Sequence, residues 1–235
     1  LKIFVFSSVD AAVEALASSL MRLVQQKPQL VLGLPTGQTM VPLYRHLRQL
    51  SASNAIDLGG VQGFNLDELL LPREHPASFF RYMLEHAIPG IGLDPRRWRI
   101  PDGTARDPEA EAEQYAKELE AAGGLDVAIL GLGSDGHIAY NLPGTRPPAT
   151  HVATLPDSLA QRIGVPQELR PLRAITLGFA ELLAARHLLL LATTPEKAQA
   201  VRKLVEGRDP VTWPCAALAD HSGLELYLTR DAAAM

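Results

Sequence analysis

The apolar run at 125–130, LDVAIL, stops at a glycine and gives way to GLGSDGHIAYNLP at 131–143. A run of that length bounded by glycines fits a fully buried strand better than a helix. Similar runs recur at 2–6, 29–34, 61–66, 173–177, 187–192 and 224–228, with a shorter one at 98–100. Between them lie segments with helical character at 8–26, 41–50, 78–87, 107–122, 180–185, 195–205 and 214–221. Strands alternating with helices argue for an α/β fold, a mostly parallel sheet covered by helices on both faces. The chain of 235 residues is long enough to bury a large core. Residues 1–235 are expected to form one domain, because no low-complexity tract or Gly/Ser linker divides them.

In such sheets ligands collect at the carboxyl ends of the strands, so the turn after 125–130 is where chemistry is expected. It holds Asp135, His137 and Asn141 among Gly131, Gly133 and Gly136. Glycines let main-chain N–H groups approach a bound group closely. A carboxylate two residues from an imidazole can orient it or raise its basicity. The same residue types also build ordinary turns, and a histidine near a strand end is often structural.

Two further strand ends carry candidate groups. The run at 29–34 leads into PTGQT and then an amphipathic segment, so Thr36, Gly37, Gln38 and Thr39 sit where a helix begins. Main-chain N–H groups, two hydroxyls and the helix dipole suit a phosphate there. A plain helix cap uses the same residues. The loop lacks the lysine and spacing of a Walker sequence and the GxGxxG of a dinucleotide site. The run at 61–66 ends in FNLDE, which places Asp67 and Glu68 at a strand-to-loop junction. Adjacent carboxylates with different burial can have pKa values pushed apart, which suits one of them to proton abstraction. An acidic pair after a strand is otherwise ordinary solvated surface.

Lys197 falls in the first turn of the 195–205 helix, a position that disfavours a cation unless an anion is bound nearby. The polar stretch 145–167 reads as a loop or lid with one short helix at 157–162, ending in Arg162. That arginine either reaches an anion or lies on the surface. A net charge of −4 with scattered Lys and Arg gives no support to nucleic-acid binding. The single cysteine, Cys215, forms no internal disulfide, and no apolar run reaches membrane-span length. The apolar stretch at the start, LKIFVFSS, is too short for a signal peptide, which leaves a cytoplasmic protein as the expectation.

The three loops together are similar to those of a known family. GLPTGQT at 33–39, FNLDE at 64–68, GLGSDGHIAYN at 131–141, AITLG at 174–178, EKAQA at 196–200 and PCAALADH at 214–221 resemble the glucosamine-6-phosphate deaminases (isomerases) and the related 6-phosphogluconolactonases. The resemblance covers nearly the whole chain. It implies a single Rossmann-like α/β domain with no nucleotide cofactor and no metal, acting on a sugar phosphate, and a possible homo-oligomer. Carried over, it implies that Thr36 to Thr39, Lys197 and Arg162 hold the phosphate. Asp67 would move a proton between C2 and C1, and His137, oriented by Asp135, would open the sugar ring. The deaminase pattern has glutamate after the Asn of GHIAFN, and here that position is Leu142. The stretch DELLLP has lactonase spacing, although Leu69 stands in place of the lactonase arginine. The resemblance thus implies an amino-sugar-phosphate deaminase first, a lactonase second, and a noncatalytic sugar-phosphate sensor third. The carboxylate absent at 142 would have to come from elsewhere, with Glu68 as the candidate.

Overall fold

A computed structural model of the chain describes residues 1–145 and 149–234. The elements run β1 (Lys2–Phe6), α1 (Val9–Gln26), β2 (Val31–Leu34), α2 (Val41–Ala52), β3 (Gln62–Asn65), β4 (Asp67–Leu69), α3 (Phe79–His86), β5 (Trp98–Arg99) and α4 (Pro108–Ala121). They continue with β6 (Val127–Leu130), β7 (His151–Thr154), α5 (Asp157–Arg162), β8 (Arg173–Thr176), α6 (Phe179–Ala184), β9 (His187–Ala192), α7 (Ala198–Glu206) and β10 (Leu224–Thr229). Local chemistry explains several starts. Ser8 caps α1, accepting from Ala11 N at 3.2 Å, and Asp107 caps α4, accepting from Ala110 N at 3.0 Å ahead of Pro108 at the first helical position.

Seven strands form one sheet in the order β1-β10-β9-β6-β2-β3-β5. Every neighbouring pair in it is parallel. Its strands alternate between two cores, as a sheet buried on both faces requires. Leu32, Leu34, Val127, Ile129, Leu189, Leu191 and Tyr227 join residues of α1, α2 and α3 such as Leu16, Leu47 and Met83. Val31, Ala128, Leu130, Leu188, Leu190, Leu226 and Leu228 face Tyr115 and Leu119 of α4, Leu182 of α6 and Val201 and Leu204 of α7. The strand order reverses between β2 and β6. From β2 the chain moves outward through β3 and β5, then returns to β6 on the other side of β2 and continues through β9 and β10. A crevice opens at the carboxyl ends where such a reversal occurs.

Three corrections to the sequence reading concern this end of the molecule. Asp67 and Glu68 do not lie on a loop; they open β4, which pairs antiparallel with β8 in a separate sheet ordered β4-β8-β7. The stretch expected as a loop or lid at 145–167 includes β7, packed on β8, as well as the expected α5. Its residues 146–148 lie outside the described residues. The expected C-terminal helix at 214–221 is a 3-10 turn at Pro214–Leu218, and residues 195–197 form another that leads into α7. The small sheet has its own apolar cluster, with Leu69, Leu71, Leu155, Val165 and Ala174 packed together. Two hydrogen bonds join it to the large sheet: Leu66 N donates to Leu34 O and Leu177 N donates to Leu66 O, at 3.1 and 2.8 Å.

Candidate active site

The ends of β9, β6, β2 and β3 stand side by side at the carboxyl edge of the sheet, and each delivers one part of a cleft of about 280 Å³. From β2 come Thr36, Gly37 and Thr39, from the end of β3 Asp67, from β6 the glycines and His137, and from β9 Lys197. Arg162, at the end of α5, closes the same cleft together with Leu159. Of the residues to which the resemblance assigns a role, Asp135 and Gln38 do not line it; nor do Glu68 and Asn141, which the sequence also singled out. Asp135 touches it through His137, and Gln38 is exposed at the start of a 3-10 turn, outside the lining. The expectation for Gln38 rests on its main-chain N–H at the start of that turn, not on its side chain.

The loop after β2 is braced from beneath. Tyr44 Oη donates to Pro35 O at 2.6 Å and Tyr82 Oη donates to Gly37 O at 2.8 Å. Gly37 has φ of +106°, in the region that favours glycine, so the chain reverses there and the turn at Gln38–Met40 begins immediately. Met40 N donates to Gly37 O at 3.0 Å, which leaves the N–H groups of Gln38 and Thr39, with the hydroxyls of Thr36 and Thr39, to meet an anion.

Lys197 and Arg162 supply positive charge on the facing side. Partial burial draws the lysine's pKa below its usual range; Glu196 and Asp135 oppose that shift and Arg162 adds to it. Two cations brought close enough to disfavour one another are stabilised when a dianion sits between them.

On the loop after β6, His137 Nδ1 lies 2.6 Å from Asp135 Oδ1, which also accepts the backbone N–H of His137 at 3.2 Å. The hydrogen bond to the imidazole is the main reason the Asp135 carboxyl is held down at about 2. The pair leaves Nε2 as the ring nitrogen available to a substrate. Gly133 makes room for it, since a Cβ there would overlap the imidazole and the Asp135 carboxylate. Gly136, at φ +83°, packs against Trp213 and Cys215, and Cys215 N donates to its carbonyl at 2.8 Å. Asn141 is wholly buried and structural: its Nδ2 donates to Ile138 O and Leu177 O at 2.9 and 2.8 Å, tying this loop to the end of β8. Between them Ala139 takes φ of +50°, a conformation costing a non-glycine residue about 1 kcal/mol.

Asp67 is 6 % exposed, and among the described residues nothing donates a hydrogen bond to its side chain. Burial, and then the neighbouring Glu68 carboxyl, raise its pKa to about 8. Glu68 points the other way. It accepts from Phe79 N and Phe80 N at 2.8 and 2.7 Å at the start of α3, from Leu69 N at 2.7 Å and from Ser78 Oγ at 3.3 Å. Its carboxylate is fully engaged as a helix anchor and does not line the cleft, so it cannot replace a carboxylate at 142. Leu142 is likewise turned from the cleft and packs against the cluster of the small sheet.

Sequence reasoning missed Tyr140, which lines the cleft with its ring stacked on Phe79 at a centroid distance of 6.0 Å and 6.4 Å from the His137 ring. Its aromatic character reads as core in the sequence, and only the turn geometry brings it to the cleft wall. Among the described residues no group of three or more His, Cys, Asp and Glu side chains is close enough to hold a metal ion, and no helix is long and apolar enough to cross a membrane.

Comparison with known proteins agrees with this geometry. The family model described as glucosamine-6-phosphate isomerases/6-phosphogluconolactonase matches residues 7–227. Glucosamine-6-phosphate deaminase 1 of Giardia intestinalis is 36% identical over 236 residues, covering 98% of this chain and 88% of that protein. Glucosamine-6-phosphate deaminase of Halothermothrix orenii is 37% identical, covering 89% of each. Among solved structures, a monomeric glucosamine-6-phosphate deaminase described as a missing link of the NagB superfamily superposes with a TM-score of 0.92 at 33% identity, over 100% of this chain and 99% of that one. A 6-phosphogluconolactonase from Thermotoga maritima shares the fold, with a TM-score of 0.78 at 21% identity over 97% and 98% of the two chains. The chain belongs to the family of glucosamine-6-phosphate isomerases and 6-phosphogluconolactonases.

Proposed function

We propose that this chain is a glucosamine-6-phosphate deaminase, converting the amino-sugar phosphate and water to fructose 6-phosphate and ammonia. The observation that carries the reading is Asp67, a buried carboxyl without a hydrogen-bond partner among the described residues, on the wall of the cleft that also holds His137. Hydrolysing a lactone needs no base for a carbon acid, whereas moving a proton from C2 to C1 does. A carboxyl with a pKa near 8 is a strong enough base once ionised, and its protonated form returns the proton readily.

The residues divide the work along the cleft. Thr36, Gly37 and Thr39, with Lys197 and Arg162, bind the phosphate. His137, kept in one tautomer by Asp135, accepts the proton from the C1 hydroxyl and delivers it to the ring oxygen, opening the ring. Asp67 then removes the C2 proton, which is acidic beside the C1 aldehyde, and gives it to C1, while O1 takes up a proton and the C2 amine gives one up, so the aldehyde becomes a hydroxymethyl group and C2 an imine. The resulting C2 imine takes up water and expels ammonia. All these side chains belong to one copy of the chain, so the reading requires no partner subunit. We assign the enzyme to the cytoplasm, since a charged sugar phosphate does not cross a membrane unaided.

Leu142 favours the second reading, hydrolysis of 6-phosphogluconolactone, in which His137 alone activates water against the lactone carbonyl. Purified protein supplied with glucosamine 6-phosphate releases ammonia under the first reading. Acid production from 6-phosphogluconolactone, with no ammonia from the amino sugar, would replace it with the second. Ligand binding without turnover of either compound would leave a sensor.

A further inference from the structure

We propose that the Tyr140 hydroxyl is a substrate contact, donating a hydrogen bond to a sugar oxygen at the end of the cleft occupied by His137 and Asp67. The inference rests on the sugar-phosphate reading above, and it assigns a residue that the reading leaves without a role. Tyr140 lines the cleft, and besides Thr36 and Thr39 it carries the only uncharged hydroxyl among the described lining residues. Those threonines belong to the phosphate loop, whereas the Tyr140 ring lies 6.4 Å from the His137 ring, so beside His137 the phenol is the neutral donor.

Its position is fixed by three independent contacts. The backbone N–H of Tyr140 donates to Thr176 Oγ1 at 3.1 Å, Asn141 pins the next residue to the end of β8, and the ring lies nearly parallel to Phe79, at 10° between planes. The hydroxyl itself has no hydrogen-bond partner among the described residues. A Tyr hydroxyl in a largely buried setting ordinarily finds one, and an unpaired one facing a ligand cleft is satisfied when the ligand arrives. Burial first, and then the nearby Asp67 and Glu68 carboxyls, raise the phenol's pKa, so it keeps its proton at every physiological pH and acts as a donor rather than as a base. Arg162 acts in the opposite sense. Because Leu142 faces the apolar cluster, no side chain from 142 competes for that place.

The test compares the wild type with Tyr140→Phe, which keeps the stacked ring and removes only the oxygen. Binding of fructose 6-phosphate, 6-phosphogluconate and inorganic phosphate is measured by calorimetry, and ammonia release from glucosamine 6-phosphate is followed in parallel. The expected result is about tenfold weaker binding of the tighter of the two sugar phosphates, unchanged binding of inorganic phosphate, and a fall of about tenfold in kcat/KM. Equal sugar-phosphate binding by the two proteins overturns the proposal. So does a parallel loss of inorganic phosphate binding, which marks a structural effect on the anion end. If the wild type releases no ammonia, the deaminase reading fails, yet the sugar-phosphate binding comparison still decides the role of Tyr140. Failure of the wild type to bind either sugar phosphate overturns both.

Discussion

His137 and Asp135 are two residues apart in a glycine-rich turn, and the turn folds so that Nδ1 of one meets Oδ1 of the other at 2.6 Å. Asp135 is about half exposed and His137 about one-third exposed, so the pair sits at the lip of the cleft. Its value lies in fixing the imidazole rather than in stabilising the fold, since solvent screens a pair this exposed. Replacing Asp135 by Asn frees the ring to adopt the other tautomer. Activity is expected to fall roughly 10–100-fold in kcat with a melting temperature within about 2 °C of the wild type. His137→Ala is expected to abolish turnover. Steady-state kinetics alongside thermal melts check both.

Asp67 predicts a pH signature. Its carboxyl titrates near 8 in the folded protein, against an ordinary carboxylate value of 3.8. As the base for the C2 proton it must be ionised, so kcat/KM is expected to rise with pH through an apparent pKa of about 8. Asp67→Asn should remove that limb together with the deaminase activity. The raised pKa means the folded state holds its proton over a window in which the unfolded chain has lost it. The wild type therefore loses stability as pH rises from 3.8 towards 8, and Asn at 67 escapes this loss. The melting temperature of Asp67→Asn should exceed that of the wild type by a margin that widens between pH 5 and pH 9. A flat margin contradicts the burial argument.

Much of this site was legible in the sequence because its parts are local. An apolar run of strand length followed by glycines marks the end of β6, and the small-residue loop before α2 marks the end of β2, so each loop announces itself without tertiary information. What stayed hidden depends on contacts between distant segments. β4 and β7 are three and four residues long, DEL and HVAT, with no clear alternation. They are strands because β8 lies between them, more than a hundred residues from β4 along the chain. Glu68 looked equivalent to Asp67 in FNLDE. Alternation along β4 sends one to the cleft and the other to the start of α3.

The phosphate end makes a separate kinetic claim. Neutralising either cation, as Lys197→Met or Arg162→Met, removes charge-assisted hydrogen bonds made equally in the ground and transition states. KM is expected to rise roughly 10–100-fold, with kcat much less affected. Inorganic phosphate should inhibit the wild type competitively and each variant more weakly. A loss confined to kcat contradicts the assignment of these two residues to the anchor.

Leu142 supplies a test of where its side chain points. Leu142→Glu would insert a carboxylate beside Leu69 and the rest of the small-sheet cluster rather than into the cleft. It is expected to lower stability by about 1–3 kcal/mol, or roughly 2–12 °C in melting temperature, without raising deaminase activity. A gain in ammonia release would mean that position 142 reaches the substrate after all.

The most direct measurement is ammonia release from glucosamine 6-phosphate by the purified wild type and by Asp67→Asn, with 6-phosphogluconolactone hydrolysis assayed on the same two proteins. The expected outcome is ammonia from the wild type, none above background from the variant, and an apparent pKa of about 8 on the rising side of the profile. Lactone hydrolysis that persists undiminished in Asp67→Asn, with no ammonia from either protein, contradicts the central claim that a buried carboxyl in this cleft works on a carbon-bound proton.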